Sequence, residues 1–344
     1  MSSNKHPSFL NRYQENISKN MKNAFSGHDM PIYDHLKYFL GWTDVNGNKI
    51  KDYSGKILRS SLCLLTSDSL NGDLRTSIRA AVALEFVHNF SLIHDDIEDQ
   101  DKFRRHRLSL WAIWGIPSSI VSGNALLTLG NLEIGNITND KLPLKIIKKT
   151  QKLLTLSYLR MMEGQFLDIH YESQIRITIP EYLRMINLKT STLIECSLIL
   201  GLLTSNYSNE DLEYQFSSLG KILGSIFQIR DDILGIWGTD KTGKPIGSDI
   251  KKKKKSLPII HGLSHQNLSI SKKIHNFLSQ KSISEFDVKQ VIEILDKAGS
   301  EKYCQKLINQ YWLEGEKIIT NLEIPISFKN DFKELGSYLS GRSS

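Results

Sequence analysis

The chain has 344 residues, a formal net charge of +7, and is 40% hydrophobic and 24% charged, which excludes a disordered or fibrous protein and allows a sizeable buried core. Its 8 prolines and 22 glycines are too few for a sandwich or barrel with a turn about every ten residues. Cys63, Cys196 and Cys304 are widely spaced and form no CxxC pair, which argues against a disulfide scaffold or a structural zinc site.

From the N-terminus, residues 1–20 lack the apolar core of a secretory signal. No uninterrupted apolar run approaches the roughly 18 residues of a membrane span. No transmembrane segment is therefore expected, and a cytoplasmic location is. Gly55-Lys56-Ile57-Leu58-Arg59 sets two cations three apart, on one face if helical. Between Ser77 and Asp101, Ala81, Leu84, Val87, Leu92 and Ile93 mark the apolar side of a helix. Residues 144–169 continue the same period. Pro180-Glu181 reads as a helix start, with the pattern running to Leu203. A third long pattern covers 211–237, and shorter helices separated by Ser and Asn clusters fill roughly 265–340. The alternation from Ile175 to Ile179 is short and reads as a loop. The expected fold is all-α: a single domain over residues 1–344, packed helix on helix around a central cavity.

The most informative segment is Phe90 to Asp101. Asp95 and Asp99 are four apart, so on a helix their carboxylates project from one face and repel unless a cation or solvent separates them. Apolar Leu92, Ile93 and Ile97 and cationic Arg104-Arg105 flank them, which sets the cluster beside core rather than on an all-polar surface. More than a hundred residues later, Asp231-Asp232 ends another apolar stretch. Two such pairs on helix ends can face each other across a bundle. All-oxygen ligands of this kind select magnesium, which completes its shell with substrate phosphates.

A polyanion held by metal also needs fixed positive charge, as fork-shaped Arg or point-charge Lys. Candidates are Lys56, Arg59, Arg104, Arg105, Lys189, Lys244 and the run Lys251 to Lys255. A single Lys or Arg is ordinarily a solvated surface residue; placement beside the acidic clusters makes these informative. The lysine run lacks interleaved aromatics, so nucleic-acid binding is not expected. His88 lies two helical turns before Asp95 and would look into the same cavity.

Over roughly 50–260 the chain resembles the trans-isoprenyl diphosphate synthases of the polyprenyl synthetase family. Asp95-Asp96-Ile97-Glu98-Asp99 matches the family's first DDxxD motif, with Arg104-Arg105 as its arginine pair, and Asp231-Asp232 opens the second. Gly55 to Arg59 resembles the GKRxR element and Gly164-Gln165-Phe166-Leu167-Asp168 the GQxxD element; Lys189-Thr190 and Phe227-Gln228 follow in family order. The resemblance implies that Lys56, Arg59, His88 and Arg105 hold isopentenyl diphosphate. It implies that Arg104, Lys189, Thr190, Gln228, Lys244 and Lys254 surround an allylic diphosphate, with the Lys254 assignment uncertain by one position. It further implies three magnesium ions on Asp95, Asp99 and Asp231, with Asp96 and Asp232 close behind, and a homodimer. Departures are Gly235 where a third aspartate would close the second motif, Ser54 and Ser60 around the GKRxR element, Asn124, and His106 where glycine usually follows the arginines.

The activity so implied is Mg-dependent condensation of isopentenyl diphosphate with an allylic diphosphate, the catalytic groups being the five motif aspartates with Arg104 and Lys189. Phe90 and Ser91, one turn before Asp95, would floor the channel for the growing tail. A C15 to C20 product is expected, geranylgeranyl favoured over farnesyl diphosphate, and core packing is the competing role for Phe90. The alternatives are a class I terpene cyclase, whose metal triad finds Asn267 and Ser271 but His275 where Glu is needed, and a non-catalytic synthase subunit, which has no need to keep both aspartate pairs.

Overall fold

A computed structural model of the chain describes residues 6–50, 55, 57–137, 142–174, 176–207, 209–238 and 246–341. The fold is all-α. The helices are α1 (Phe9–Asn23), α2 (Pro31–Phe39), α3 (Leu58–Ser69), α4 (Leu74–Glu98), α5 (Leu110–Gly135), α6 (Leu144–Glu172), α7 (Ile179–Ile186) and α8 (Thr192–Thr204). They continue with α9 (Glu210–Trp237), α10 (Ser248–Lys251), α11 (Leu257–Leu263), α12 (Leu268–Leu278), α13 (Glu285–Lys297), α14 (Ser300–Asn321) and α15 (Ile326–Ser340). The chain forms two compact units, one of His6–Tyr158 with Cys196–Glu213, the other built on Leu159–Glu195 and Tyr214–Ser344.

In the first unit, α3 and α4 are buried on most sides. Leu62 to Leu65 and Ala80 to Leu84 are fully buried. Asp73 caps α4 by accepting from the Arg75 N–H at 3.0 Å, and α3 and α5 pack along it. Small polar residues stitch this core: Thr204 Oγ1 lies 2.9 Å from Ser77 Oγ, which lies 2.6 Å from Ser67 Oγ. Burying these hydroxyls is tolerable because they satisfy one another. Cys63, Cys196 and Cys304 are buried free thiols.

The only ladder among the described residues is Phe103–Arg104 with Arg107–Leu108. Its turn residues Arg105 and His106 both have positive φ, 51° and 62°, a conformation that a tight hairpin turn demands and that Asn-Gly ordinarily supplies. His106 thus holds a left-handed position that glycine takes without cost, and side chains there store of order 1 kcal/mol each.

In the second unit the single helix expected over 181–203 is divided. A capping box of Thr178 and Glu181 starts α7, a π-helical turn occupies Asn187–Ser191, and α8 follows. The interruption sits where two glycines let backbones touch. A Cβ on Gly164 would lie 2.2 Å from Lys189 N, and one on Gly224 2.4 Å from Ser191 Cα. No local periodicity carries that information, because the extra residue is set by neighbouring helices. A second core gathers Ile236, Ile250, Ile259, Ile274, Val288 and Leu295, and the buried Trp312 ring of α14 fills the space where Gly336 of α15 lacks a side chain.

No apolar run is long enough without interruption to cross a membrane, but two helices reach that length on average. Leu110–Gly135 and Ile179–Thr204 both pass on length and averaged hydropathy, although neither is an uninterrupted apolar run. The second is core, 78% of its apolar window being buried; the first is 28% buried and is broken at Gly115, with Pro117 inside.

Candidate active site

The first acidic motif ends α4. Asp95 and Asp99 are half-buried and one turn apart, the Asp99 N–H donating to Asp95 O at 2.8 Å. Asp96 differs: 2% exposed, it accepts from Arg104 Nε at 2.7 Å through Oδ1, while its buried Oδ2 meets no donor. Burial pushes its carboxyl up to about 6 despite the Arg104 charge. The motif therefore separates into two half-buried carboxylates and one buried carboxylate that braces an arginine.

Beside it lies a basic group. Arg59 opens α3 after Ile57, whose left-handed φ of 40° is a genuine strain for a β-branched residue. Arg59 Nη1 is 3.1 Å from His88 Nε2. A guanidinium only donates, so Nε2 accepts and Nδ1 carries the imidazole proton. Burial, then Arg59, Arg105 and Arg104, hold His88 well below its usual value, so it is neutral. The Arg105 guanidinium lies on Gly55, whose added Cβ would meet Nη2 at 2.6 Å. Burial pulls Arg59 down to about 10 and lowers Arg105, and the main opposing influence on both is Glu85. Glu85 is 3% exposed and accepts from Ser60 Oγ at 3.0 Å and Asn89 Nδ2 at 3.2 Å. Lys56 and Lys244 lie outside the described residues.

In the second unit, the π turn brings Lys189 Nζ to 2.5 Å from Asp168 Oδ2, both side chains at most one-fifth exposed. Burial alone would raise Asp168, but Lys189 and Lys254 outweigh it and hold the carboxyl low. The neighbouring Thr190 donates to Gln228 Oε1 at 2.7 Å, and Gln228 Nε2 donates to Asp232 Oδ1 at 3.0 Å. Asp232 also accepts from Tyr182 OH at 2.6 Å and Leu257 N at 2.8 Å through Oδ2, yet burial pushes it up to about 7, aided by Asp249. With donors on both oxygens, Asp232 is a buried brace behind Asp231. Asp231, one residue earlier, is half-buried.

The lysine run is sorted by its surroundings. Lys251 bonds Glu285 and Lys253 bonds Gln280 O. Lys254 acts on Asp168 beside Lys189, and Lys255 is buried near Glu172. Among five equivalent letters, only geometry distinguishes Lys254. Phe90 is 4% exposed and meets His94 edge-on at 4.7 Å, and Ser91 Oγ donates to His88 O at 2.8 Å. The cyclase candidates have structural employment: Asn267 caps α12 through Ser269 N, and Ser271 donates to Leu263 O at 2.6 Å.

Among the described residues no three His, Cys, Asp or Glu side chains converge into a cage for an ion. Magnesium does not ask for one. It takes one or two carboxylates and lets phosphate oxygens and water complete the octahedron, and the all-oxygen, half-buried Asp95, Asp99 and Asp231 suit that ion.

The polyprenyl synthetase family model matches residues 42–295, a span holding every motif above. The chain belongs to the polyprenyl synthetase family. It is 36% identical to the geranylgeranyl diphosphate synthase of Saccharolobus solfataricus over 82% of this chain and 83% of that protein. It is 27% identical to the (2E,6E)-farnesyl diphosphate synthase of Mycobacterium tuberculosis over 95% of this chain and 89% of the relative. The crystal structure of polyprenyl synthetase from Streptomyces coelicolor superimposes with a TM-score of 0.89 at 27% identity, covering 96% of this chain and 98% of that one. This polyprenyl synthetase is accordingly a trans-prenyltransferase.

Three members of its site escaped sequence reasoning. Glu85 had a readable signal, a lone acid inside the apolar run Ala80 to Val87. Tyr182 and Asp249 had none, since each acts through a residue distant in sequence.

Proposed function

We propose that this polyprenyl synthetase condenses isopentenyl diphosphate with an allylic diphosphate to give a C15 to C20 trans-prenyl diphosphate, geranylgeranyl favoured. One observation carries the reading. Each acidic motif buries its second aspartate against fixed donors, Asp96 on Arg104 and Asp232 on Tyr182, Gln228 and Leu257 N. Each leaves its first, Asp95 or Asp231, half-buried. A carboxylate presented in that way, on a rigid helix end, is built to share a divalent ion with a phosphate.

Arg59, Arg105 and neutral His88, together with Lys56 by sequence, are the proposed isopentenyl diphosphate clamp. Lys189, Lys254, Arg104, Thr190 and Gln228 are proposed for the allylic diphosphate, with Lys244. Asp95, Asp99 and Asp231 would hold magnesium, which when bound neutralises the leaving diphosphate as a Lewis acid. The allylic C–O bond breaks with its electron pair leaving on diphosphate. The double bond of isopentenyl diphosphate attacks the resulting allylic cation to form the new C–C bond. A proton is then lost to the departed diphosphate, restoring a double bond in a chain five carbons longer. Lys189 and Lys254, half-buried beside Asp168, stabilise the charge that accumulates as the C–O bond opens. Orienting two substrates supplies much of the remaining rate. Phe90, backed by His94, is proposed as the floor that ends growth, and the higher identity to a geranylgeranyl than to a farnesyl diphosphate synthase supports the longer product.

We also propose a homodimer seated on α5. That helix exposes Ile116, Ile120, Val121 and Leu132 at 40–56% with Glu133 as its sole acid or base, a long apolar face that a second copy would cover. Sedimentation of Val121→Lys against the parent protein tests this: a monomer at equal fold stability is expected.

The deciding assay feeds labelled isopentenyl diphosphate with dimethylallyl, geranyl or farnesyl diphosphate, with magnesium or chelator, and resolves products by length. Metal-dependent elongation is expected. Hydrocarbon without elongation would transfer the reading to a cyclase, and equal consumption with chelator would end the metal assignment.

A further inference from the structure

Gly235 stands where the acidic motif lacks its last carboxylate, and its surroundings give it a different task. A Cβ there would lie 2.3 Å and 2.5 Å from the two carboxylate oxygens of Asp249. Asp249 belongs to α10, is 5% exposed, and its carboxylate fills the space of the absent side chain.

The contact is one of five that tie residues 247–257 to the end of α9. Gly247 N donates to Ile236 O at 3.1 Å, and Ser248 Oγ to Gly235 O at 3.3 Å. Leu257 N donates to Asp232 Oδ2 at 2.8 Å. Ile250, fully buried, packs with Ile236 in one core cluster. Within the segment, Lys254 N donates to Asp249 O at 2.9 Å, so the backbone of Asp249 sets the start of Lys254 while its side chain sits in the glycine gap. Lys254 is the lysine whose charge acts on Asp168 beside Lys189.

We infer that Gly235 is a docking notch and Asp249 a positioning residue: the pair fixes the register of the lysine run against the second acidic motif, and so places Lys254 for an allylic diphosphate. The diphosphate part of this inference rests on the proposed function; the docking part does not. The physical basis is that the Asp side chain is short and this one is buried. A methyl group at 235 therefore cannot be cleared by swinging a flexible side chain into water, and the segment itself must shift.

Hydrogen exchange of the intact protein reads the docking directly. In Gly235→Ala, the amides of Gly247, Lys254 and Leu257 should exchange at least about tenfold faster, while α14 and α15 keep their protection, which reports that the unit is still folded. Gly235→Ala/Asp249→Ala removes the clash and should return most of the protection, leaving the double variant better docked than Gly235→Ala alone. In steady-state assays the KM for the allylic diphosphate should rise about tenfold in Gly235→Ala, with a smaller change in kcat and little change in the KM for isopentenyl diphosphate. Gly235→Asp should loosen the segment as Gly235→Ala does. Unchanged exchange in Gly235→Ala, no relief in the double variant, or tighter docking or higher turnover in Gly235→Asp would each overturn the inference. A protein that docks as described but elongates no primer would leave the notch standing and remove the proposed function.

Discussion

Arg59 Nη1 and His88 Nε2 are 3.1 Å apart, one on α3 and one on α4. Because arginine can only donate, this contact fixes the imidazole as the Nδ1–H tautomer and keeps it neutral among Arg59, Arg104 and Arg105. A neutral acceptor orients the guanidinium without cancelling its charge, which is what a clamp for a diphosphate needs. His88→Ala frees Arg59 and should raise the KM for isopentenyl diphosphate about tenfold, equivalent to about 1.4 kcal/mol, with a smaller effect on the allylic substrate. An equal rise for both substrates would remove His88 from this role.

The Lys189–Asp168 pair is largely buried, so losing one partner strands a charge. Lys189→Met or Asp168→Asn should each cost about 2 kcal/mol in urea unfolding, discounted from the 3–5 typical of fully buried pairs because both side chains keep some exposure. The double variant should recover most of the stability and none of the turnover. Recovery of turnover would make the pair purely structural.

A Cβ added at Gly164 would meet backbone alone, Lys189 N at 2.2 Å, Lys189 Cα at 2.6 Å and Leu188 C at 2.7 Å, so no side chain can move aside. Gly164→Ala should therefore destabilise by about 3 kcal/mol and displace the π turn. Gly135→Ala, whose Cβ finds Gln151 Nε2 at 3.9 Å, should be neutral or slightly stabilising. Denaturant midpoints of the two variants, compared with the parent, make the test.

Burial pushes Asp232 up to about 7, against about 3.9 in an unfolded chain. Between those values the folded protein binds more protons than the unfolded one. Stability from this group consequently falls as pH rises through that window, and the loss is complete above about 7. Asp232→Asn, which cannot titrate, should flatten the pH dependence of metal-free unfolding between about pH 4 and 7. An unchanged slope would assign the dependence to other groups.

Phe90 is 4% exposed and leans on His94. Truncation to Ala should cost about 3–5 kcal/mol, as for other core phenylalanines, and should also lengthen the product by at least one five-carbon unit. Product chromatography separates the roles: destabilisation with an unaltered chain length leaves Phe90 as core alone.

The helices, the two acidic motifs and the cation clusters were legible because each is a local pattern. Periodicity near 3.6 marked α4, α6 and α9 to within three residues, and four-residue spacing put Asp95 and Asp99 on one face. The sequence by itself determined that this chain is an all-α polyprenyl synthetase with carboxylates and cations of the right kinds.

What each charge does was decided only by tertiary structure. Asp95 and Asp96 are adjacent identical letters, yet one is half-buried and the other is enclosed against Arg104. Five lysines in a row part company because Glu285, Gln280 and Asp168 stand in different directions. The π turn at Lys189 follows from Gly164 and Gly224 admitting backbone contact across helices, and the meaning of Gly235 comes from Asp249. In every case the deciding quantity is desolvation and the identity of a partner distant along the chain. Neither is a property of a residue and its sequence neighbours, so packing had to supply both.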